Sequence, residues 1–276
     1  MKKHISSLLF LLLCLSFPFA GHAEDFALSD HEKVELLQQA NDFFQQANEA
    51  YDADRQAAEE LYRKSLFRFE RLSKSGIENG KLLYNIGNIY FRLDDIGRAI
   101  LHYRKAQRYI PDDPSLAQNL AYAESQRQDK IDPRQEEKIV KTLFFWHYDL
   151  SFKVRLMLFA LFYATFWVIS TAKLFSGRAL SKWAMAIPLV LALLIGGSLS
   201  YHLLFPPAPE GVILAPETIA RKGDGHTYQP SFKEPLHAGT DFTLIEDRGQ
   251  WLHIELADGR QCWISAGSAG LISSKP

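Results

Sequence analysis

The sequence predicts a multi-domain chain: an all-α module of helix-turn-helix repeats, two transmembrane helices and a small all-β barrel. Three observations predict this. Residues 28–130 are rich in helix formers and contain a 34-residue unit, Gly80–Asp113, with small and large residues at set places. Residues 151–205 hold five basic side chains and no carboxylate. Beyond residue 211 apolar residues alternate with polar ones, as half-buried strands require.

The formal net charge of −1 is unevenly spread. Residues 24–150 hold 18 basic and 23 acidic side chains, and residues 206–276 hold six and nine. A carboxylate-free stretch between two mildly acidic ones fits a membrane-embedded section, because ionised carboxylates are costly in hydrocarbon while Lys and Arg reach the interface. Neither soluble region is basic, so nucleic acid is not an expected partner.

The first 23 residues read as a signal peptide: Lys2 and Lys3, the apolar run Ile5–Phe19, then small residues Gly21 and Ala23 flanking His22. A retained anchor is the alternative, although the run is short for one. Cys14 follows Leu13 and lacks the small neighbour a lipoprotein signal needs. Cleavage would leave Cys262 alone, so no intramolecular disulfide is expected, nor any metal site or cofactor.

Residues 24–140 form the expected helical module. In Gly80–Asp113 the landmarks Leu83, Ile86, Gly87, Tyr90, Ala99, Tyr103, Ala106 and Pro111 fall at positions 4, 7, 8, 11, 20, 24, 27 and 32. This register resembles the tetratricopeptide repeat. Gly87 and Ala99 are small so that two antiparallel helices approach closely, the tyrosines fill the space beside them, and Pro111 is expected to end the second helix. One repeat cannot bury its own face. Upstream, Ala47, Ala58, Tyr62 and Ser65 match if the inter-helix turn is one residue short; downstream, Leu120 and Ala121 begin a terminal solvating helix.

The resemblance implies a partner-binding groove along the first helices of the repeats. Its candidates are Lys81, Tyr84, Asn85, Asn88, Phe91 and Arg92, with Gln118 and Tyr122 of the cap. Asn48 aligns with Asn88. Amides both donate to and accept from a peptide backbone, and a guanidinium holds a carboxylate. The same residues also suit an ordinary solvated face.

Phe144, Phe145, Trp146 and Tyr148 suit a membrane interface or helix packing. Spans are expected at 152–174 and 183–205, each about the 20 residues a bilayer needs, joined by a cytoplasmic loop, 175–182; the connector between the apolar runs carries Lys173, Arg178 and Lys182. Lys138, Lys141, Lys153 and Arg155 on the other side weaken the charge rule, so orientation rests on the signal peptide: both modules face the periplasm from a bacterial inner membrane. Pro188 should kink the second span, and Gly196, Gly197 and Ser198 give it a face for close helix contact.

Residues 206–211 form a stiff Pro-rich linker, and 212–276 the all-β module. Phe242 and Leu244, then Leu252, Ile254 and Leu256, alternate with mostly polar residues, and Asp258-Gly259 is read as a two-residue hairpin turn. Gly239-Thr240, Trp251, Asp258-Gly259 and Trp263 in this order resemble the bacterial SH3 domain, with Cys262 where that family usually has glycine. Trp251 and Trp263 are expected in its core, with ligand contact as the alternative.

The whole order resembles the BatE-like proteins of the aerotolerance-operon group. That resemblance implies a non-enzymatic accessory role beside membrane-bound von Willebrand A-domain proteins and a MoxR-type ATPase, linked to stress tolerance. The sequence has no His-Glu-x-x-His, phosphate loop or Gly-x-Ser-x-Gly elbow, and no catalytic residue is nominated. The alternative is a sensor or anchor that binds peptidoglycan through the SH3-like barrel.

Overall fold

A computed structural model describes residues 28–77, 79–176, 182–206 and 208–272. The expected signal peptide lies outside the described residues, as does most of the expected loop between the spans. Among the described residues, the helical module comprises α1 (Asp30–Ala50), α2 (Arg55–Lys74), α3 (Gly80–Arg92), α4 (Ile96–Gln107) and α5 (Pro114–Ser125).

Each of these helices starts on a capping side chain. Ser29 and Glu32 cap each other's backbone at the start of α1, while Asp54, Asn79, Asp95 and Asp113 accept from first-turn amides of the next four. Helices pair as α1 with α2 and α3 with α4, and α5 packs beside α4. Ala47, Ala58, Tyr62 and Ser65 are fully buried in the first pair, and Ile86, Ala99 and Ala106 in the second. A Cβ added to Gly87 would lie 2.6 Å from the Tyr103 ring, so this close helix approach requires glycine. α4 ends at Gln107, before Pro111; the proline lies in the loop leading to α5 rather than terminating the helix itself.

After the linker 126–134 come α6 (Gln135–Leu143) and the single turn α7 (Phe145–Tyr148). The helices α8 (Phe152–Ser176) and α9 (Lys182–Leu204) then pack as a hairpin. Both are long and apolar enough to cross a membrane, with mean hydropathies of 1.6 and 1.9. α9 runs unbroken through Pro188. Gly196 is the close-contact residue: a Cβ there would stand 3.0 Å from the Phe159 ring, whereas Gly197 faces open space.

The all-β module follows as β1 (Glu210–Ile213), β2 (Glu217–Thr218), β3 (Leu236–His237), β4 (Asp241–Asp247), β5 (Trp251–Leu256), β6 (Gln261–Ser265) and β7 (Ala269–Leu271). Five strands form an antiparallel sheet in the order β6-β5-β4-β1-β7, while β2 and β3 pair separately. A bulge interrupts β4 between Leu244 and Glu246, where such irregularities let a sheet bend. The free edge of β6 is bonded in turn to Arg221, whose amide reaches the Trp263 carbonyl at 2.8 Å and whose carbonyl accepts at 2.9 Å. The β5–β6 connection departs from a two-residue turn. Only Gly259 has positive φ, +83°, and Leu256 and Arg260 close the loop with a 2.9 Å bond. Three residues span the turn, a geometry that places glycine at its left-handed position.

The helical module and the all-β module share a core. Val212 of β1 is fully buried in one cluster with Ile100, Leu101, Leu116 and Ala123 of the helices. The approach is tight: a Cβ on Gly97 of α4 would lie 2.8 Å from the Ile213 carbonyl oxygen, and one on Gly270 would lie 2.6 Å from Leu101. The apolar hairpin is thus inserted in sequence between two modules that pack on each other.

Candidate functional site

Three constellations stand out among the described residues: the expected groove face, an aromatic and cationic cluster on the sheet, and a polar clamp between the modules.

On the groove face, side chains from α3 and α5 converge. Asn119 Nδ2 donates to Tyr84 Oη at 2.9 Å and to Asn88 Oδ1 at 3.0 Å, and Tyr103 Oη donates to the same Asn88 oxygen at 2.8 Å. Burial drives the Tyr103 hydroxyl's pKa upward, so it remains a neutral donor. The first helix pair repeats this bond: Tyr62 Oη donates to Asn48 Oδ1 at 2.7 Å. The tyrosine follows its asparagine by 14 residues in one pair and 15 in the other, a difference that matches a turn one residue shorter.

With Asn88 Oδ1 and both Asn119 amide hydrogens engaged, the face retains the Asn88 amide hydrogens, the Tyr84 hydroxyl hydrogen and the Asn119 carbonyl oxygen. Around them, Phe91 packs against Tyr122 with ring centres 5.5 Å apart, and Tyr122 remains 59% exposed. Arg92 lies over the Tyr51 ring at 5.0 Å. Lys81 pairs with Asp113 and stands over Tyr84. Asn85 is half-buried beside this set and Gln118 is exposed. Sequence reasoning nominated Gln118 and passed over Asn119, which holds the network together, and Tyr51, the platform for Arg92. A small amide within one turn of both Gln118 and Tyr122 was the available signal for Asn119.

On the sheet, Trp251 and Trp263 are both buried, each 9% exposed, and pack outside the aliphatic cluster. Strand alternation puts Leu252, Ile254 and Leu256 inward with Cys262 and Ile264, and sends the tryptophans to the opposite face with His253. There Trp263 stacks on His253 at 4.7 Å and beneath Arg248 at 4.6 Å. His226 meets Trp251 edge-on at 4.9 Å. The guanidinium of Arg248 is held by Asp224 at 2.7 Å and Glu246 at 2.8 Å, and both carboxyls sit below their usual range chiefly through those bonds. Cys262 takes the inward place, where burial pushes its thiol up to about 12, so it carries little thiolate at neutral pH.

The clamp was not foreseen. Asp129 of the linker receives the His237 backbone amide at 2.7 Å, His237 Nδ1 at 2.7 Å and Thr240 Oγ1 at 2.6 Å. Burial alone would raise its pKa; the bonds from Thr240 and His237 together outweigh that and hold it low. Nearby, Asp241 lies 2.8 Å from Arg127 and 3.3 Å from Arg104, and Arg134 pairs with Glu255. No short-range sequence signal marks these pairs, since more than a hundred residues separate Asp129 from His237.

Among the described residues no three His, Cys, Asp or Glu side chains gather as metal ligands would. Compared with family models, curated proteins and solved structures, the chain matches none.

Proposed function

We propose that this chain is a membrane-anchored scaffold that captures protein partners in an extended conformation along the face formed by Tyr84, Asn88, Phe91, Arg92, Asn119 and Tyr122. The supporting observation is the amide and hydroxyl network there, which is fixed by internal bonds while keeping donors and an acceptor for an incoming backbone. Pre-organised polar groups beside aromatic anchors are what strand-like peptides recognise. Arg92 would read an acidic side chain of the partner. The tetratricopeptide reading rests on the eight landmarks and on the Asn–Tyr bond repeated in both helix pairs.

In this reading α8 and α9 cross the bacterial inner membrane, and the helical module and SH3-like barrel face the periplasm together. Their shared core supports a common side. The resemblance to BatE-like proteins makes membrane-bound von Willebrand A-domain proteins the expected partners, in a complex linked to stress tolerance, with no chemistry performed by this chain.

The test places a photo-crosslinking amino acid at Tyr122 in the full chain in intact cells. Adducts with membrane proteins are expected, reduced at least fivefold by Arg92→Glu. Arg92 is chosen over Asn88 because losing Asn88 would also orphan Tyr103. Equal adduct yield from a cross-linker at exposed Val34 on α1 would remove the groove from the mechanism.

A second reading is favoured by the cluster of Trp263, His253 and Arg248, whose part-exposed guanidinium, held over the aromatic stack, suits contact with a sugar or peptide of peptidoglycan. Co-sedimentation of the full chain with peptidoglycan, lost in Arg248→Ala, would support it.

A further inference from the structure

Among the described residues of the hairpin, one cation is treated unlike the rest. Arg155, the fourth residue of α8, is only 3% exposed. Its Nη1 donates to Ser198 Oγ on α9 at 2.9 Å and to His147 Nδ1 on α7 at 3.1 Å. His147 Nδ1 also lies 2.8 Å from Ser198 Oγ. A guanidinium only donates, so the His147 nitrogen facing it is the unprotonated one, and the ring is neutral. Both partners of the buried cation are therefore uncharged.

The opposite edge of the guanidinium is unused. Nε is buried without a partner, and Nη2 donates to none of the described residues. These two nitrogens form the parallel pair that binds two oxygens of one oxyanion. Among the described residues none is offered locally: residues 151–205 contain no Asp or Glu, and Asp149 is exposed. A desolvated cation with only neutral partners is unfavourable in hydrocarbon, and such residues mark sites that receive a counter-charge.

Depth identifies the counter-charge. Three residues of helix put Arg155 about 5 Å below the start of α8, and Ser198 lies roughly 9 Å from the end of α9. At that level α7 and the end of α6 expose Leu143, Phe144, Phe145 and Tyr148 beside the first apolar residues of the span. Aromatic residues in such a belt sit at the headgroup level, and the His147 contacts fix α7 there. The oxyanion abundant at that depth is the phosphodiester of a phospholipid.

We propose that Arg155, with Ser198 and His147 holding its other edge, is a docking site for one phospholipid phosphate on the membrane face beneath α7. This rests on the reading of α8 and α9 as membrane spans. A lipid seated there would sit against the joint between the linker and the hairpin, and fix the height of the soluble modules above the bilayer.

The test uses the full chain in phosphatidylglycerol nanodiscs, released into the gas phase for native mass spectrometry. The wild type is expected to retain one phospholipid, R155Q to lose at least tenfold of that retention, and K153Q, an exposed neighbour, to match wild type. Inorganic phosphate at tenfold excess should change retention less than twofold. Retention by R155Q equal to wild type, or displacement by free phosphate, overturns the proposal. Flotation of each protein with vesicles is scored separately, so a wild type that does not float condemns the membrane reading itself. Should R155Q fail to float, the wild type decides: guanidinium 15N of arginine in the nanodisc should dephase against lipid 31P beyond the level seen in R155K. No such difference, as when a partner helix supplies a carboxylate, also overturns it.

Discussion

Replacing Asp129 with alanine removes three short bonds at once, those from the His237 amide, His237 Nδ1 and Thr240 Oγ1. Hydrogen bonds to a charged group contribute about 1.5–3 kcal/mol each, and abandoned buried donors carry a further cost. The Asp129 side chain is 14% exposed, so water recovers part of the loss, and a net weakening of about 2–4 kcal/mol is expected. That corresponds to roughly 30- to 700-fold in the docking equilibrium between linker and barrel, at 1.4 kcal/mol per tenfold. Hydrogen exchange read by mass spectrometry is the assay. Amides of β3 and the start of β4 should exchange faster by that factor in D129A, while α1 and α2 stay protected. The folded-state pKa of Asp129 is depressed, so its contribution is present above the ordinary carboxylate range and lost as pH falls through the lowered value. Docking should therefore hold at pH 5. Unchanged exchange across residues 236–247 in D129A would refute the reasoning, because the clamp would then be redundant with the apolar contact.

Other predictions concern single groups. His102 is half-buried and stacked on Tyr90, and desolvation, then Lys105 and Arg98, depress its pKa to about 3. The unfolded imidazole, near 6.5, binds the proton that the folded one refuses, so stability is complete above that value and falls with pH below it, by about 2 kcal/mol at pH 5. The difference in Tm between pH 7 and pH 5 should shrink in His102→Phe; an undiminished difference would assign the acid loss elsewhere. Asn88→Ala and Asn48→Ala each orphan a buried tyrosine hydroxyl and should each cost about 1–3 kcal/mol by urea unfolding; a large cost at one site alone would break the equivalence of the two helix pairs. Gly97→Val should separate the modules by pressing on the Ile213 carbonyl, costing about 1–3 kcal/mol, with faster exchange at β1 as the readout and protection equal to wild type as the refuting result.

Much of the local structure was legible because local rules govern it. Caps such as Asp95 and Asp113, small residues such as Gly87 and Ala99, and the carboxylate-free stretch each carry their meaning within a few residues. The alternation that marks β5 also contained the correct placement of the tryptophans. Once Leu252, Ile254 and Leu256 point inward, Trp251 must point the other way, and Cys262 and Ile264 do the same for Trp263. Size and family resemblance pointed to buried tryptophans, and both are buried; the face each takes is set by strand phase. Asn88 shows the converse: its position on the groove face was readable, but its bond to Tyr103 depends on helix pairing that only the repeat alignment hinted at. The clamp and the Arg155 cluster join residues 108 and 43 positions apart. A single sequence gives such pairs no pattern, since each partner looks like an ordinary polar residue in its own neighbourhood.

The shared core constrains how the chain can sit in a membrane more tightly than the charge rule does. Lysines and arginines flank α8 and α9 at both ends, so a count of positive charge assigns no clear side. Packing does. Val212, immediately after the hairpin and its proline-rich exit, is completely buried among Ile100, Leu101 and Ala123, which precede the hairpin. In the proposed membrane reading, two segments in van der Waals contact occupy one side of a bilayer, so the stretch between them crosses an even number of times, a condition that α8 with α9 as two spans would satisfy. The clamp at Asp129 and the ion pair of Arg134 with Glu255 lie on the same joint, which makes the helical and all-β modules a single body joined to a hairpin and not two domains strung on a flexible tether. A partner gripped by the groove face would then be held at a set distance and orientation from the membrane, which a scaffold needs and a free-swinging repeat array does not provide.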